Sequence, residues 1–183
     1  MSERLNERRI DPAKWARAGQ RLEGVVDLAV LPRLTALLTS SDGVVTVNLQ
    51  FGVDRDGQPA IVGEVTATLQ TTCQRCLEKM QLDVGAAVSL GIVLSPEQAQ
   101  QLSAAYEPLI VGEDPVSIAA LVEDELILAL PIVAVHPPAE CGVGDRVVAE
   151  DAVEPAPDET TDRRGKKGKK NPFEVLKTLR EGR

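Results

Sequence analysis

Four residues on two segments of the chain carry side chains that bind transition metals. Cys73 and Cys76 lie in Cys-Gln-Arg-Cys, and His136 and Cys141 lie in His-Pro-Pro-Ala-Glu-Cys. A cysteine pair of this spacing can hold Zn²⁺ from one tight turn, and a histidine and a cysteine on a second segment can complete a tetrahedral Cys₃His site. The four residues include every cysteine and the only histidine of the chain. The pattern predicts one structural zinc ion.

Two other interpretations of these residues stay open. In the first, Cys73 and Cys76 are ordinary reduced cysteines at a turn, and His136 is a solvated loop residue. In the second, the pair performs thiol–disulfide chemistry, which requires the first cysteine at a helix N-terminus in a βαβ unit. An alternating strand pattern follows Cys76 instead. That context disfavours redox catalysis.

Other catalytic patterns are missing from the sequence. No glycine-rich phosphate loop is present, because Gly112, Gly142 and Gly144 belong to no motif. Glu123, Asp124 and Glu125 are consecutive in a helical pattern, so their carboxylates point in different directions and indicate a solvated face. The sequence therefore predicts a protein that binds rather than an enzyme.

Composition favours a cytoplasmic globular protein. The chain has 183 residues, 43% of them apolar and 2% aromatic, which fits one domain with a core of aliphatic side chains. No apolar run reaches the roughly 18–20 residues of a membrane helix, and the N-terminus has no apolar stretch typical of a secretory signal. An odd number of cysteines argues against a disulfide framework. We therefore expect a cytoplasmic location and no membrane partner.

Charge is distributed unevenly along the chain. Residues 1–21 have a net charge of +3, residues 22–162 of −18, and residues 163–183 of +7. Basic ends on an acidic body are often arms that bind a polyanion. A solubilising tail, or a tail that folds back on the acidic body, explains the same pattern equally well.

Alternating apolar residues predict the strands that must position the cysteine pair. Period-two patterns occur in residues 43–53, 60–71 and 82–90, and Asp-Arg-Asp-Gly at 54–57 fits a hairpin loop. Residues 21–29 and 107–111 read as further extended segments. The cysteine pair then lies at the connection between two strands.

Helical patterns follow the strands. Ser95 and Pro96 open one helix, Pro32 fits the start of a short one, and residues 115–130 carry an apolar stripe that ends before Pro131. Strands followed by helices, without βαβ alternation, predict an α+β fold. We expect an antiparallel sheet of about five or six strands with two or three helices, in a core domain spanning residues 21–142. Residues 1–20 are expected to form a flexible basic leader.

The C-terminal residues predict a tail. Residues 143–170 are acidic and then basic, with few large apolar groups, which is typical of a disordered linker. Residues 171–183 read as a short amphipathic helix that can dock on a partner. The linker ends in a basic run whose members are candidates for polyanion binding: Arg163, Arg164, Lys166, Lys167, Lys169 and Lys170.

Three segments together resemble the YceD family, which is named for accumulation of large-subunit ribosomal RNA. They are TTCQRCLEKM at 71–80, AYEPLIVGEDPVSIAALVEDELILALPIVAVH at 105–136 and NPFEVLKTLR at 171–180. Many relatives have further paired cysteines at the end of the body, where this chain has His136 and Cys141. The residues that match the family motif are Cys73, Arg75, Cys76, Glu123, Asp124, Glu125, Leu130 and Pro131.

The resemblance implies a role in the synthesis, processing or stability of 23S ribosomal RNA, without enzymatic activity. The implied partner is large-subunit ribosomal RNA or a precursor particle, contacted directly or indirectly. Lysine and arginine contacts to phosphate would give salt-sensitive binding, and the scarcity of aromatics argues against base stacking. The competing hypothesis is a protein-binding module whose acidic body holds a basic partner, such as a ribosomal protein or a nuclease.

Overall fold

The computed structural model describes residues 2–142, and the expectations for the C-terminal tail lie outside them. These residues form a sheet with two helices packed against one face, which confirms the α+β class. The elements in chain order are β1 (Arg9–Ile10), α1 (Pro12–Arg17), β2 (Arg21–Asp27), a 3₁₀ turn (Leu28–Val30), α2 (Pro32–Thr35), β3 (Val44–Val53), β4 (Pro59–Thr72), β5 (Lys79–Val93), α3 (Pro96–Gln101), β6 (Glu107–Ile110), β7 (Val116–Ser117) and α4 (Ile118–Ala129).

Five strands form the main sheet in the order β2-β3-β4-β5-β6. The first three pairings are antiparallel, whereas β6 runs parallel to β5, with Leu90 opposite Glu107. The expectation of a purely antiparallel sheet is therefore wrong. Residues 94–106, which include α3, carry the chain back alongside the end of β5, and a connection of about a dozen residues is enough for a parallel crossover.

One face of the sheet is buried, and most of the other face is exposed to solvent. Alternate residues of β3, including Val45, Val47, Leu49 and Phe51, are buried, and α1 and α4 pack over the sheet on that side. Trp15 of α1 meets Phe51 edge to face, with ring centroids 5.2 Å apart. As predicted, the core is otherwise mainly aliphatic.

The N-terminal residues, expected to be a flexible leader, are part of this packing. Leu5, Ile10 and Ala16 are buried, and Asp11 caps α1 by accepting a hydrogen bond from the Lys14 N–H. The Leu5 N–H donates to the Val25 carbonyl at 2.8 Å, so this segment covers the free edge of β2. Gly24 permits the approach, because a Cβ there would lie 2.5 Å from the Glu3 carbonyl oxygen.

The helix α4 leads the chain towards the predicted metal ligands. Ser117 caps it by accepting from the Ala120 N–H, and it ends at Ala129, just before Pro131. Its buried residues face the core, and Glu123 is the only polar side chain buried among residues 2–142. The chain leaves α4 as residues 131–142, which we call the exit segment.

Candidate metal centre

The hairpin formed by β4 and β5 extends beyond its neighbour β3. The pairing of β3 with β4 stops at Val45 and Ala67, whereas β4 and β5 stay paired as far as Thr72 and Lys79. Residues 73–78, here called the hairpin tip, close this projection. The predicted position of Cys73 and Cys76 between two strands is confirmed.

The hairpin tip is a tight turn closed by backbone hydrogen bonds. The Cys73 N–H donates to the Glu78 carbonyl at 2.8 Å, and the Leu77 N–H donates to the Cys73 carbonyl at 2.9 Å. Leu77 has φ of 62°, and among residues 2–142 no other non-glycine residue has positive φ. This left-handed residue lets the chain turn back into β5 directly after Cys76.

The exit segment lies against the hairpin tip. The Gln74 N–H donates to the Ala134 carbonyl at 2.8 Å, and the His136 N–H donates to the Cys73 sulfur at 3.4 Å. The His136 Nδ1 lies 3.3 Å from the Cys76 Sγ. These contacts orient the histidine ring towards the cysteine pair.

The structure brings all four predicted ligands together. The Sγ atoms of Cys73, Cys76 and Cys141 and a ring nitrogen of His136 lie within 4.8 Å of one another. A tetrahedral zinc site with bonds of about 2.0–2.3 Å would separate its ligand atoms by about 3.3–3.8 Å. Small side-chain adjustments would therefore suffice, and three sulfurs with one imidazole are a donor set that zinc prefers. The residues fit a four-coordinate metal ion.

Backbone dipoles favour the thiolate of Cys73. Burial opposes its ionisation, but the N–H groups of Cys76, His136 and Arg75 point at the sulfur and lower the pKa of the Cys73 thiol to about 6. The Glu78 N–H likewise lowers the pKa of the Cys76 thiol. Burial and the sulfurs of Cys73 and Cys141 outweigh this effect, so the pKa of the Cys76 thiol is raised. Three clustered sulfurs thus resist ionising together, and a bound cation would relieve that resistance.

Little apolar packing supports this end of the molecule. Cys73, Met80, Ala134 and Cys141 form a small buried cluster separate from the main core, with Cys76 and Val135 packed against it. Three of these six side chains are candidate ligands. A metal ion would supply the cohesion that this small cluster lacks.

The other motif residues contribute no ligand to the site. Arg75 lies in the hairpin tip, and Leu130 and Pro131 end α4. Glu123 is 4% exposed and accepts hydrogen bonds from the N–H groups of Arg33 and Leu34, at 2.7 and 3.1 Å, and from the Arg33 Nε at 2.9 Å. It thereby joins α4 to the start of α2.

The remaining acidic residues of the motif lie nearer to solvent. The exposed carboxylate of Asp124 pairs with the Arg33 guanidinium at 2.7 Å. Burial, and then the charges of Glu107 and Asp124, raise the pKa of Glu125. Arg33 was not a predicted site residue, because no local signal identifies a partner 90 residues away. The predicted polyanion-binding residues at 163–170 lie outside the described part of the chain.

Comparisons with known proteins agree with the resemblance. Residues 61–180 match the model of the family described as "Large ribosomal RNA subunit accumulation protein YceD". A protein of that name from Haemophilus influenzae is 30% identical over 173 residues, which cover 94% of each chain. No solved structure matches.

An α+β body with a Cys₃His cluster at the end of a projecting hairpin defines a protein with the ligand set of a structural metal centre. The chain belongs to the YceD family of large ribosomal RNA subunit accumulation proteins. A ribosome-related role follows from that membership. Among residues 2–142, no helix is long and apolar enough to cross a membrane.

Proposed function

We propose that this protein is a non-enzymatic ribosome-biogenesis factor of the cytoplasm that supports the synthesis, processing or stability of 23S ribosomal RNA. The observation that carries the proposal is the family match over residues 61–180, together with a relative of the same name along nearly the whole chain. The matched region includes the hairpin tip and the exit segment.

The four clustered side chains hold one structural zinc ion. They provide all four ligands of a tetrahedral site, and a closed site of this kind leaves no open position for a substrate or an activated water. The role of the ion is to fasten the exit segment to the hairpin tip. This agrees with a binding protein rather than an enzyme.

Contact with RNA depends on the tail rather than on the acidic body. Residues 2–142 contain ten basic and nineteen acidic residues, a net charge of −9, so the body as a whole repels a phosphate backbone. Six basic residues lie between 163 and 170. They contact large-subunit ribosomal RNA or a precursor particle, and the binding weakens as the salt concentration rises.

Removal of the protein from cells tests this function. Ribosomes are separated on a sucrose gradient, and 23S and 16S RNA are quantified with and without re-expression of the 183-residue chain. We expect a selective loss of 23S RNA and large subunits, restored by re-expression. An unchanged ratio of 23S to 16S RNA under several growth conditions would exclude the role.

The strongly negative body favours one alternative, a protein-binding module that holds a basic partner such as a ribosomal protein or a nuclease. Substitution of the six basic residues at 163–170 by alanine distinguishes the two functions, with Arg55→Ala in the β3–β4 loop as the control. Loss of RNA association with an intact fold supports direct RNA contact. Unchanged association favours the acidic body as the working surface.

A further inference from the structure

The exit segment is joined to the body at a single place. Every hydrogen bond between residues 131–142 and the rest of the described chain ends on Cys73, Gln74 or Cys76. Its buried side chains, Ala134 and Cys141, belong to the small cluster at the hairpin tip and not to the main core. By contrast, Ile132 is 97% exposed. Opening the Cys₃His cluster would therefore leave the exit segment with one backbone hydrogen bond to the hairpin tip, from the Gln74 N–H to the Ala134 carbonyl, and would leave the sheet intact.

The three cysteines differ in how deeply they are buried. Cys73 and Cys141 are buried, whereas Cys76 is only partly buried. An oxidant of small size, such as a peroxide, meets Cys76 first. The Cys73 and Cys141 sulfurs lie within 4.8 Å of it, so a partner for a disulfide is already in place.

The choice of partner decides the structural outcome. A disulfide between Cys73 and Cys76 closes a loop within one turn, which the backbone already holds together, and places no constraint on the exit segment. A disulfide that includes Cys141 would instead tie the exit segment to the hairpin covalently. The first pair is favoured because both of its cysteines lie in the hairpin tip, whose own backbone hydrogen bonds hold them close together.

We propose that this centre is an oxidation-sensitive clip, in which a peroxide converts Cys73 and Cys76 to a disulfide, expels the metal ion and releases residues 132–142 from the hairpin tip. This inference rests on the metal site of the proposed function. It adds Cys76 as a site of oxidation and the release of the exit segment as the structural consequence.

The proposed chemistry needs only the peroxide as co-reactant. The Cys76 thiolate attacks one peroxide oxygen, the O–O bond breaks, and a sulfenic acid and hydroxide form. The Cys73 sulfur then displaces the sulfenic oxygen, which leaves as a second hydroxide while the S–S bond forms. The two sulfurs lose two electrons, the peroxide gains them, and two protons from solvent convert both hydroxides to water. With two ligands lost, His136 and Cys141 no longer retain the cation.

The test uses the zinc-loaded 183-residue chain and hydrogen peroxide. Released zinc is followed with a chromogenic chelator, the disulfide is mapped by mass spectrometry, and hydrogen exchange compares residues 132–142 with β3. We expect zinc release in step with a Cys73–Cys76 disulfide, loss of protection in residues 132–142 and unchanged protection in β3. Zinc that stays bound, a disulfide involving Cys141, or unchanged protection of residues 132–142 would overturn the proposal.

Two variants serve as matched controls. Cys141→Ser keeps both reacting sulfurs and should still form the Cys73–Cys76 disulfide, whereas Cys76→Ser should form none. Failure of Cys141→Ser to form it would contradict the chosen pair. A chain that never binds zinc would refute the metal site itself, and a chain that binds zinc but resists peroxide would refute only the clip.

Discussion

At the scale of single residues, Glu123 and Asp124 show that neighbouring carboxylates can have different roles. Glu123 is buried and satisfies two backbone N–H groups at the start of α2, whereas Asp124 pairs with Arg33 at a site where both side chains are more than half exposed. The sequence predicts a solvated face for the acidic cluster at 123–125. That interpretation fits Asp124 but is wrong for Glu123.

Glu123→Ala should lower the free energy of unfolding by about 2–4 kcal/mol, because it leaves buried N–H groups without an acceptor and removes a charged hydrogen bond. Asp124→Ala removes only an exposed ion pair and should cost less than about 1 kcal/mol. Urea denaturation of both variants measures the difference. Equal losses would contradict the assigned role of Glu123.

Leu77 occupies a backbone conformation that suits glycine, and its side chain is 76% exposed. A left-handed conformation costs an L-residue about 1–2 kcal/mol. Glycine avoids this cost but loses more conformational entropy on folding, which offsets part of the gain. Leu77→Gly should therefore stabilise the zinc-loaded protein by about 0.5–1 kcal/mol in urea denaturation. Glu78→Gly, where φ is not positive, is the control and should destabilise it. Destabilisation by Leu77→Gly would argue that the exposed leucine makes a contact of its own.

At the scale of elements, the sequence predicted best what depends on local pattern. Alternation in residues 43–53 and 82–90 predicted β3 and β5, because a half-buried strand exposes every second side chain. The direction of β6 could not be predicted, since Glu-Pro-Leu-Ile carries no signal for parallel or antiparallel pairing. The packing of residues 2–20 was missed because it depends on a few separate apolar residues in short elements, such as Leu5 and Ile10, rather than on a periodic pattern.

The carboxylates of α4 and α3 predict opposite responses to pH. Burial and the charges of Glu107 and Asp124 raise the pKa of Glu125, so its ionisation opposes folding, and this penalty appears as the pH rises through its folded pKa. The Ser95 hydroxyl and the Glu97 N–H lower the pKa of Glu97, so its ionised form supports folding, and that support is lost as the pH falls through its folded pKa.

Glu125→Gln should therefore stabilise the protein at pH 7 by a few tenths to about 1 kcal/mol, in the range of partly exposed charges. The gain should shrink as the pH falls through the raised folded pKa of Glu125, and it should be absent below the ordinary pKa of glutamate. Glu97→Gln should destabilise it at pH 7. Thermal melts of both variants at several pH values measure these differences, and the same sign for both variants at pH 7 would contradict the two pKa directions.

At the scale of the whole molecule, the main core and the exit segment are held together by different interactions. The main core holds the sheet together by aliphatic packing, whereas the exit segment depends on a small cluster of which half the side chains are candidate ligands. The approach of His136 and Cys141 to the cysteine pair was predictable from residue type rather than from spacing. A tetrahedral zinc site needs four ligands, and these two are the remaining histidine and cysteine of the chain. Whether the predicted basic tail binds RNA stays a prediction.

The metal content of the purified 183-residue chain tests most directly whether the hairpin tip and the exit segment hold a metal centre. The protein is purified without chelator, and zinc is measured by mass spectrometry against protein concentration, with Cys73→Ser and the distant Ser40→Ala as a matched pair. We predict one zinc ion per chain, retained in Ser40→Ala and lost in Cys73→Ser. A folded wild-type chain without stoichiometric zinc, even after incubation with the ion, would contradict the metal centre.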